Sequence, residues 1–74
     1  MLENIKEIIN EIKEINGVDK VNKISENMHL RLDLGLDSMD LAILTAKIED
    51  LYGVDIFETG IVNTIGEILV KLEK

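Results

Sequence analysis

The apolar residues of this chain recur at intervals of three and four in three separate segments, and this periodicity constrains the fold more than any other feature. Such spacing is typical of amphipathic helices that bury one face. We therefore predict an all-α fold, a small up-down bundle of three main helices. The three stripes consist of Leu2, Ile5, Ile8, Ile9, Ile12 and Ile15; of Leu41, Leu44, Ile48, Leu51 and Tyr52; and of Ile65, Ile68, Leu69 and Leu72.

Short local signals predict where these helices begin and end. Gly17 and Gly53 follow the first two stripes, where glycine commonly ends a helix in the left-handed conformation. Thr64 followed by Glu67 predicts a capping box at the start of the third helix. For the second helix we predict Asp37 as the N-cap, with Ser38 as the first helical residue and Asp40 in the first turn.

Two connections join the helices. The first is long, Asn16 to Asp37, and alternates apolar and polar residues at Met28, Leu30, Leu32 and Leu34. We predict an extended loop there, because no other segment could pair with a strand. The second connection, Asp55 to Val62, is predicted to contain one short helix. The chain has 74 residues, which indicates a single domain spanning 1–74.

The charge and composition exclude several classes of function. Fifteen acidic against eight basic residues give a net charge of -7, which argues against nucleic acid and favours basic partners. The absence of cysteine excludes disulfides and thiolate metal sites. Charged residues interrupt every apolar run, so we expect no signal peptide, no membrane association and a cytoplasmic location.

The stretch DLGLDSMDL, residues 33–41, presents a serine between two aspartates at the predicted start of the second helix. A nucleophilic serine needs a base within hydrogen-bond reach, and the single histidine is His29 in the long loop. We expect no catalytic residue and no enzyme. A calcium loop is also excluded, because Ser38 and Leu44 stand where the turn glycine and the bidentate glutamate are required. No metal site is predicted.

The face of the second helix opposite its apolar stripe carries a second pattern. At about 100° per residue, Met39, Ile43, Ala46 and Asp50 fall on one stripe that we expect to face solvent. Isolated exposed apolar residues are ordinary, and Asp37 and Asp40 are sufficiently explained as helix caps. The alternative is a partner-docking surface made by Asp37, Met39, Asp40, Ile43, Ala46, Glu49 and Asp50.

DLGLDSMDL resembles the prosthetic-group attachment site of acyl carrier proteins, the phosphopantetheine-binding carrier proteins, in which Asp-Ser-Leu/Met-Asp/Glu opens the second helix. The length, the acidity, the long first loop and the short last helix of this chain also agree with that family. The resemblance implies covalent 4'-phosphopantetheine on Ser38, attached by a phosphopantetheinyl transferase (holo-carrier synthase) that Asp37 assists. It also implies that Met39, Asp40, Glu49 and Asp50 contact acyl ligases, synthases or transferases with basic docking patches.

Two departures from the family pattern bear on the pathway. Ile43 stands where fatty-acid-synthesis members usually have a glutamate. Lys47 places a positive charge on a face that is expected to be acidic. A monomeric acyl carrier of a specialised fatty-acid, polyketide or related pathway fits best. An aminoacyl or peptidyl carrier of a nonribosomal-type pathway is the alternative, although Asp40 and the single Gly35 favour acyl cargo; an unmodified acidic interaction module is a third. The resemblance also implies that an acyl chain could fold back between the helices, beside four apolar residues. The alternative is that these four residues are ordinary core: Leu44, Ile48, Ile65 and Leu69.

Overall fold

The computed structural model describes residues 2–58 and 60–73, and it confirms the all-α class. The three helices are α1 (Leu2–Ile15), α2 (Ser38–Tyr52) and α3 (Ile65–Leu72). Within these described residues, extended pairing is limited to one isolated bridge between His29 and Thr64. None of the described helices is both long enough and apolar enough to cross a membrane.

An apolar cluster holds together the helices and loops of the described residues. Each fully buried Leu or Ile stabilises the fold by roughly 1.5–3 kcal/mol through removal of apolar surface from water. The predicted stripes supply most of this core, but Ile15 and Leu51 are 68% and 63% exposed, so their predicted burial is wrong. Ile15 is the last residue of α1, and Leu51 lines the open edge between α1 and α2. The buried cluster comprises Ile5, Ile8, Ile9, Ile12, Ile24, Leu30, Leu34, Leu36, Leu44, Ile48, Ile56, Val62, Ile65 and Ile68.

The predicted helix ends are confirmed by backbone geometry. Gly17 and Gly53 have φ of 72° and 70°, the left-handed region that glycine adopts without steric penalty. The Gly53 amide donates to the Glu49 carbonyl at 2.8 Å. Thr64 and Glu67 form the predicted capping box, in which hydrogen bonds from the Asn63 and Thr64 amides lower the pKa of Glu67.

The first loop is not a strand, as predicted, but it does not follow the predicted alternation either. Leu30 and Leu34 are buried whereas Leu32 is 84% exposed. The cause is a tight turn in which the Asp33 and Leu34 amides donate to the His29 carbonyl at 3.0 and 3.1 Å. Residues four apart therefore share a side, and the loop presents Leu30 and Leu34 together to the core.

The short helix predicted within Asp55–Val62 is not observed in the described part of that segment, residues 55–58 and 60–62. Residues 56–58 form a turn, in which the Phe57 amide donates to Asp55 Oδ1 at 3.0 Å. Gly60 has φ of 145°, outside the helical region. The prediction was wrong because the backbone turns at residues 56–58 and, at Gly60, adopts a φ that glycine permits and a helix does not, so no helix runs through the described part of the segment.

Polar residues on α1, and Asn16 directly after it, anchor the long loop and the start of α2. The Asn10 side chain forms two hydrogen bonds with the backbone of Val21, at 2.8 and 3.0 Å. Lys13 Nζ donates to the Leu34 carbonyl at 2.8 Å, and Asn16 Nδ2 donates to Asp40 Oδ1 at 2.8 Å. These contacts fix the loop on both sides of the turn that precedes Ser38.

Candidate functional site

Ser38 is exposed at the first position of α2, and its hydroxyl is not used to cap the helix. Asp37 is the N-cap, as predicted: Asp37 Oδ1 accepts from the Asp40 amide at 2.8 Å, and Asp40 Oδ2 accepts from the Asp37 amide at 3.1 Å. This reciprocal capping box satisfies amides that Ser38 could otherwise have served. The hydroxyl is therefore left at the surface with its chemistry available.

Arg31 is the residue that the structure brings to Ser38. Its Nη2 donates to Ser38 Oγ at 2.7 Å. The sequence motif does not indicate this contact, although Arg31 is the single arginine of the chain and precedes Ser38 by seven residues. A guanidinium stays protonated and cannot act as a base, so this pair does not activate the hydroxyl as a nucleophile.

His29 organises the loop backbone and is not a partner of Ser38. Its Nδ1 accepts from the Arg31 and Leu32 amides, both at 3.1 Å. The Asp33 carboxylate in turn accepts from the His29 amide at 2.6 Å. The structure thus pairs Ser38 with Arg31, whereas the imidazole holds the backbone from which Arg31 extends.

Asp40 is buried, although the resemblance places it among the docking residues, so this placement is corrected. It is only 6% exposed, and both carboxylate oxygens bind groups of the protein itself. The hydrogen bond from Asn16 lowers its pKa most; burial opposes this, and the hydrogen bonds with Asp37 and the nearby Lys13 lower it further. Asp40 is therefore an ionised structural residue that joins the end of α1 to the start of α2.

The exposed face of α2 contains most of the predicted docking stripe. Met39 is 73% exposed, but Ile43 is half-buried against the core and does not fully face solvent as expected. Lys47 Nζ forms an ion pair with Glu11 Oε1 of α1 at 3.0 Å, which partly neutralises the charge of Lys47. A shallow depression follows this face and is lined by Ile43, Ala46, Lys47, Glu49 and Asp50. Asp37, Ala46, Glu49 and Asp50 are exposed.

The residues that the resemblance placed beside an acyl chain are packed in the apolar cluster. Leu44, Ile48 and Ile65 are fully buried, and Leu69 packs against the same cluster, as in an ordinary core. A separate open groove of about 760 Å³ lies on the α3 side, and its lining contains neither Ser38 nor a docking residue. Within residues 2–58 and 60–73, no group of three or more metal-ligating side chains could hold a metal ion.

Comparisons with known proteins agree with this arrangement. The family described as "Phosphopantetheine attachment site" matches residues 6–69 of the chain. The fold is similar to a solved structure from Mycobacterium tuberculosis that is provisionally described as an acyl carrier protein (Rv0033), with a TM-score of 0.62 and 27% sequence identity. That similarity covers 93% of this chain and 95% of the other.

Proposed function

The chain belongs to the phosphopantetheine-attachment family of carrier proteins, and from this premise we propose that Ser38 carries the arm and that the cargo is an acyl group. Members of the family are carriers without catalytic activity of their own, and they hold covalent 4'-phosphopantetheine. The assignment to Ser38 rests on its exposed hydroxyl. This hydroxyl does not cap α2, because Asp37 is the N-cap.

The residues around Ser38 fit a group attached through a phosphate. Oγ lies at the surface, where a long arm can extend into solvent, and Arg31 Nη2 supplies a positive charge 2.7 Å away. A Cβ built on Gly35 would meet no atom within 4 Å, so the turn before the helix leaves open space. When bound, the arm supplies a terminal thiol that holds cargo as a thioester.

Loading of the arm requires coenzyme A and a phosphopantetheinyl transferase. Ser38 Oγ forms the new bond to phosphorus, the pyrophosphate bond of coenzyme A breaks, and 3',5'-ADP leaves. The hydroxyl proton passes to a base of the transferase, because neither Arg31 nor His29 is arranged to accept it. In this scheme Asp37, exposed beside Ser38, assists the transferase.

The exposed face of α2 is proposed to dock the transferase and the enzymes that load and use the cargo. Met39 supplies an apolar contact next to the arm, and Glu49 and Asp50 supply negative charge further along the helix. Charge complementarity with basic patches speeds association, and a small contact area permits release. The docking surface comprises Asp37, Met39, Ile43, Ala46, Glu49 and Asp50, with Asp40 excluded.

The acyl assignment and the pathway rest on particular residues. Asp40 and the single Gly35 favour an acyl carrier over an aminoacyl or peptidyl carrier of a nonribosomal-type pathway. Ile43 and Lys47 favour a specialised fatty-acid, polyketide or related pathway, with acyl ligases, synthases or transferases as partners. We propose that the carrier acts as a cytoplasmic monomer.

The intact mass of the protein tests the proposal. Wild type and Ser38→Ala are incubated with coenzyme A, magnesium and a broad-specificity phosphopantetheinyl transferase. We expect wild type to gain one phosphopantetheinyl group and Ser38→Ala to gain none while remaining folded by circular dichroism. The loaded protein is then offered acyl-adenylate and aminoacyl-adenylate ligases in parallel. A folded wild type that gains no mass would refute the carrier function, whereas aminoacyl loading alone would refute only the acyl assignment.

A further inference from the structure

We propose that Arg31 is the binding residue for the phosphodiester of the arm, so that the long first loop, and not α2 alone, holds the base of the prosthetic group. The inference rests on the proposed attachment to Ser38. It assigns a function to a residue that the sequence motif does not include, because Arg31 lies outside the segment 33–41.

The guanidinium of Arg31 already lies at the attachment atom. Arg31 Nη2 already donates to Ser38 Oγ, the atom that becomes the bridging oxygen of the phosphodiester, at 2.7 Å. The nonbridging oxygens lie two bonds from that atom, so rotation of the exposed Arg31 side chain brings its donors to them. A guanidinium presents several donors in one plane, which suits phosphate oxygens better than a single hydroxyl.

The start of α2 carries negative charge that a nearby cation can balance. Asp37 is exposed beside Ser38, and the lowered pKa of Asp40 keeps a second carboxylate ionised at the same helix end. A phosphodiester adds a third negative charge there. The Asp40 amide and Lys13 Nζ are already engaged, because they donate to Asp37 and, at 2.8 Å, to the Leu34 carbonyl. Among the hydrogen bonds of the described residues, the one from Arg31 places a positive charge on Ser38 Oγ.

The backbone of Arg31 is held in place before any phosphate arrives. Its amide donates to His29 Nδ1 at 3.1 Å, and its carbonyl accepts from the Gly35 amide at 3.1 Å. The preceding Leu30 is fully buried, and its carbonyl accepts from the Leu36 amide at 3.0 Å. The loop therefore fixes the origin of the side chain, which reduces the conformational entropy lost when it binds a phosphate.

Nuclear magnetic resonance of the apo and modified proteins tests this assignment directly. The modified protein contains one phosphorus atom, and Arg31 gives the single arginine Nε–Hε signal. The proteins compared are wild type, Arg31→Gln, Arg31→Lys and Lys23→Gln, the last removing the same charge from the same loop. A short phosphopantetheinylated peptide with the sequence of residues 33–41 gives the reference ³¹P shift of an unbound phosphodiester.

We expect the ³¹P resonance of wild type to differ from the peptide reference and to return toward it in Arg31→Gln. Lys23→Gln should match wild type, and Arg31→Lys should fall between. Modification should also move the Arg31 Nε–Hε signal. Arg31→Gln should also lower the urea concentration at the midpoint of unfolding, and by more in the modified protein than in the apo protein. The reason is that modification changes the partner of Arg31 from a neutral hydroxyl to an anion.

The outcomes separate this inference from the proposed function. If wild type is modified but its ³¹P resonance equals the peptide reference, or is unchanged in Arg31→Gln, the phosphate assignment is overturned and the carrier function stands. If wild type cannot be modified at all, both are overturned. Mass spectrometry of each variant before the measurement confirms full modification, so a slower transferase reaction cannot be mistaken for a lost contact.

Discussion

Replacement of Asp40 by alanine should destabilise the protein strongly, even though the resemblance would assign this residue to a docking surface. The substitution removes the acceptor for Asn16 Nδ2 at 2.8 Å and the acceptor for the Asp37 amide at 3.1 Å. A hydrogen bond to a charged group contributes about 1.5–3 kcal/mol, and a helix-capping contact about 1 kcal/mol. We therefore expect a loss of roughly 2–4 kcal/mol of unfolding free energy.

That loss is large for a domain of this size. At about 0.05–0.15 kcal/mol per residue, a chain of 74 residues has a total stability of roughly 4–11 kcal/mol. Each kcal/mol shifts the melting temperature of such a domain by about 4–8 °C, so Asp40→Ala should melt roughly 10–30 °C below wild type. Circular dichroism at 222 nm, followed during heating and in urea, measures both quantities on the apo protein.

Two further variants show which property of Asp40 matters. Asp50→Ala removes an exposed carboxylate of the same helix and should change stability by less than about 0.5 kcal/mol. Asp40→Asn keeps the shape and one acceptor oxygen, so it should fall between Asp40→Ala and wild type. An Asp40→Ala protein as stable as Asp50→Ala would refute the structural role and return Asp40 to the docking surface.

Three further predictions concern pH, the end of α2 and the docking surface. The pKa values of Asp40 and Glu67 are lowered by folding, so their stabilisation is complete above the ordinary carboxyl range and is lost as pH falls through the lowered values. Urea unfolding should show this loss between about pH 5 and pH 2, and a smaller loss in Asp40→Asn. Gly53→Ala should cost about 1–2 kcal/mol in urea unfolding, because φ is 70° and an added Cβ meets no atom within 4 Å, which leaves backbone strain as the cause; a neutral result would contradict it. Asp50→Lys should slow association with the phosphopantetheinyl transferase in stopped-flow experiments, whereas Glu26→Lys, in the groove on the α3 side, should not. Equal slowing by both would indicate a general charge effect.

The sequence predicted those parts of the fold that depend on neighbouring residues. Helix ends at Gly17 and Gly53, and the cap formed by Asp37, follow from backbone preferences and from side chains a few residues apart. The position of Ser38 at the start of α2 was predictable for the same reason. These features need no knowledge of how the helices pack.

Contacts between distant segments were not predictable in this way. The hydrogen bonds from Asn16 to Asp40 and from Arg31 to Ser38 depend on how the long loop returns to α2. Leu32 was misplaced because its apolar neighbours alternate in sequence, whereas hydrogen bonds around His29 fold them into a turn. The chemical setting of Ser38 therefore became visible only with the loop in place.

Location of the prosthetic group on the modified protein tests the central claim most directly. Trypsin cleavage after Arg31 and Lys47 releases residues 32–47, a peptide whose hydroxyl side chains are those of Ser38 and Thr45. Thr45 Oγ1 donates to the Leu41 carbonyl at 2.8 Å within α2, which leaves Ser38 as the accessible hydroxyl. Fragmentation of this peptide should place one phosphopantetheinyl group on Ser38. A group on Thr45, or a peptide that stays unmodified after full reaction with coenzyme A and the transferase, would contradict the account.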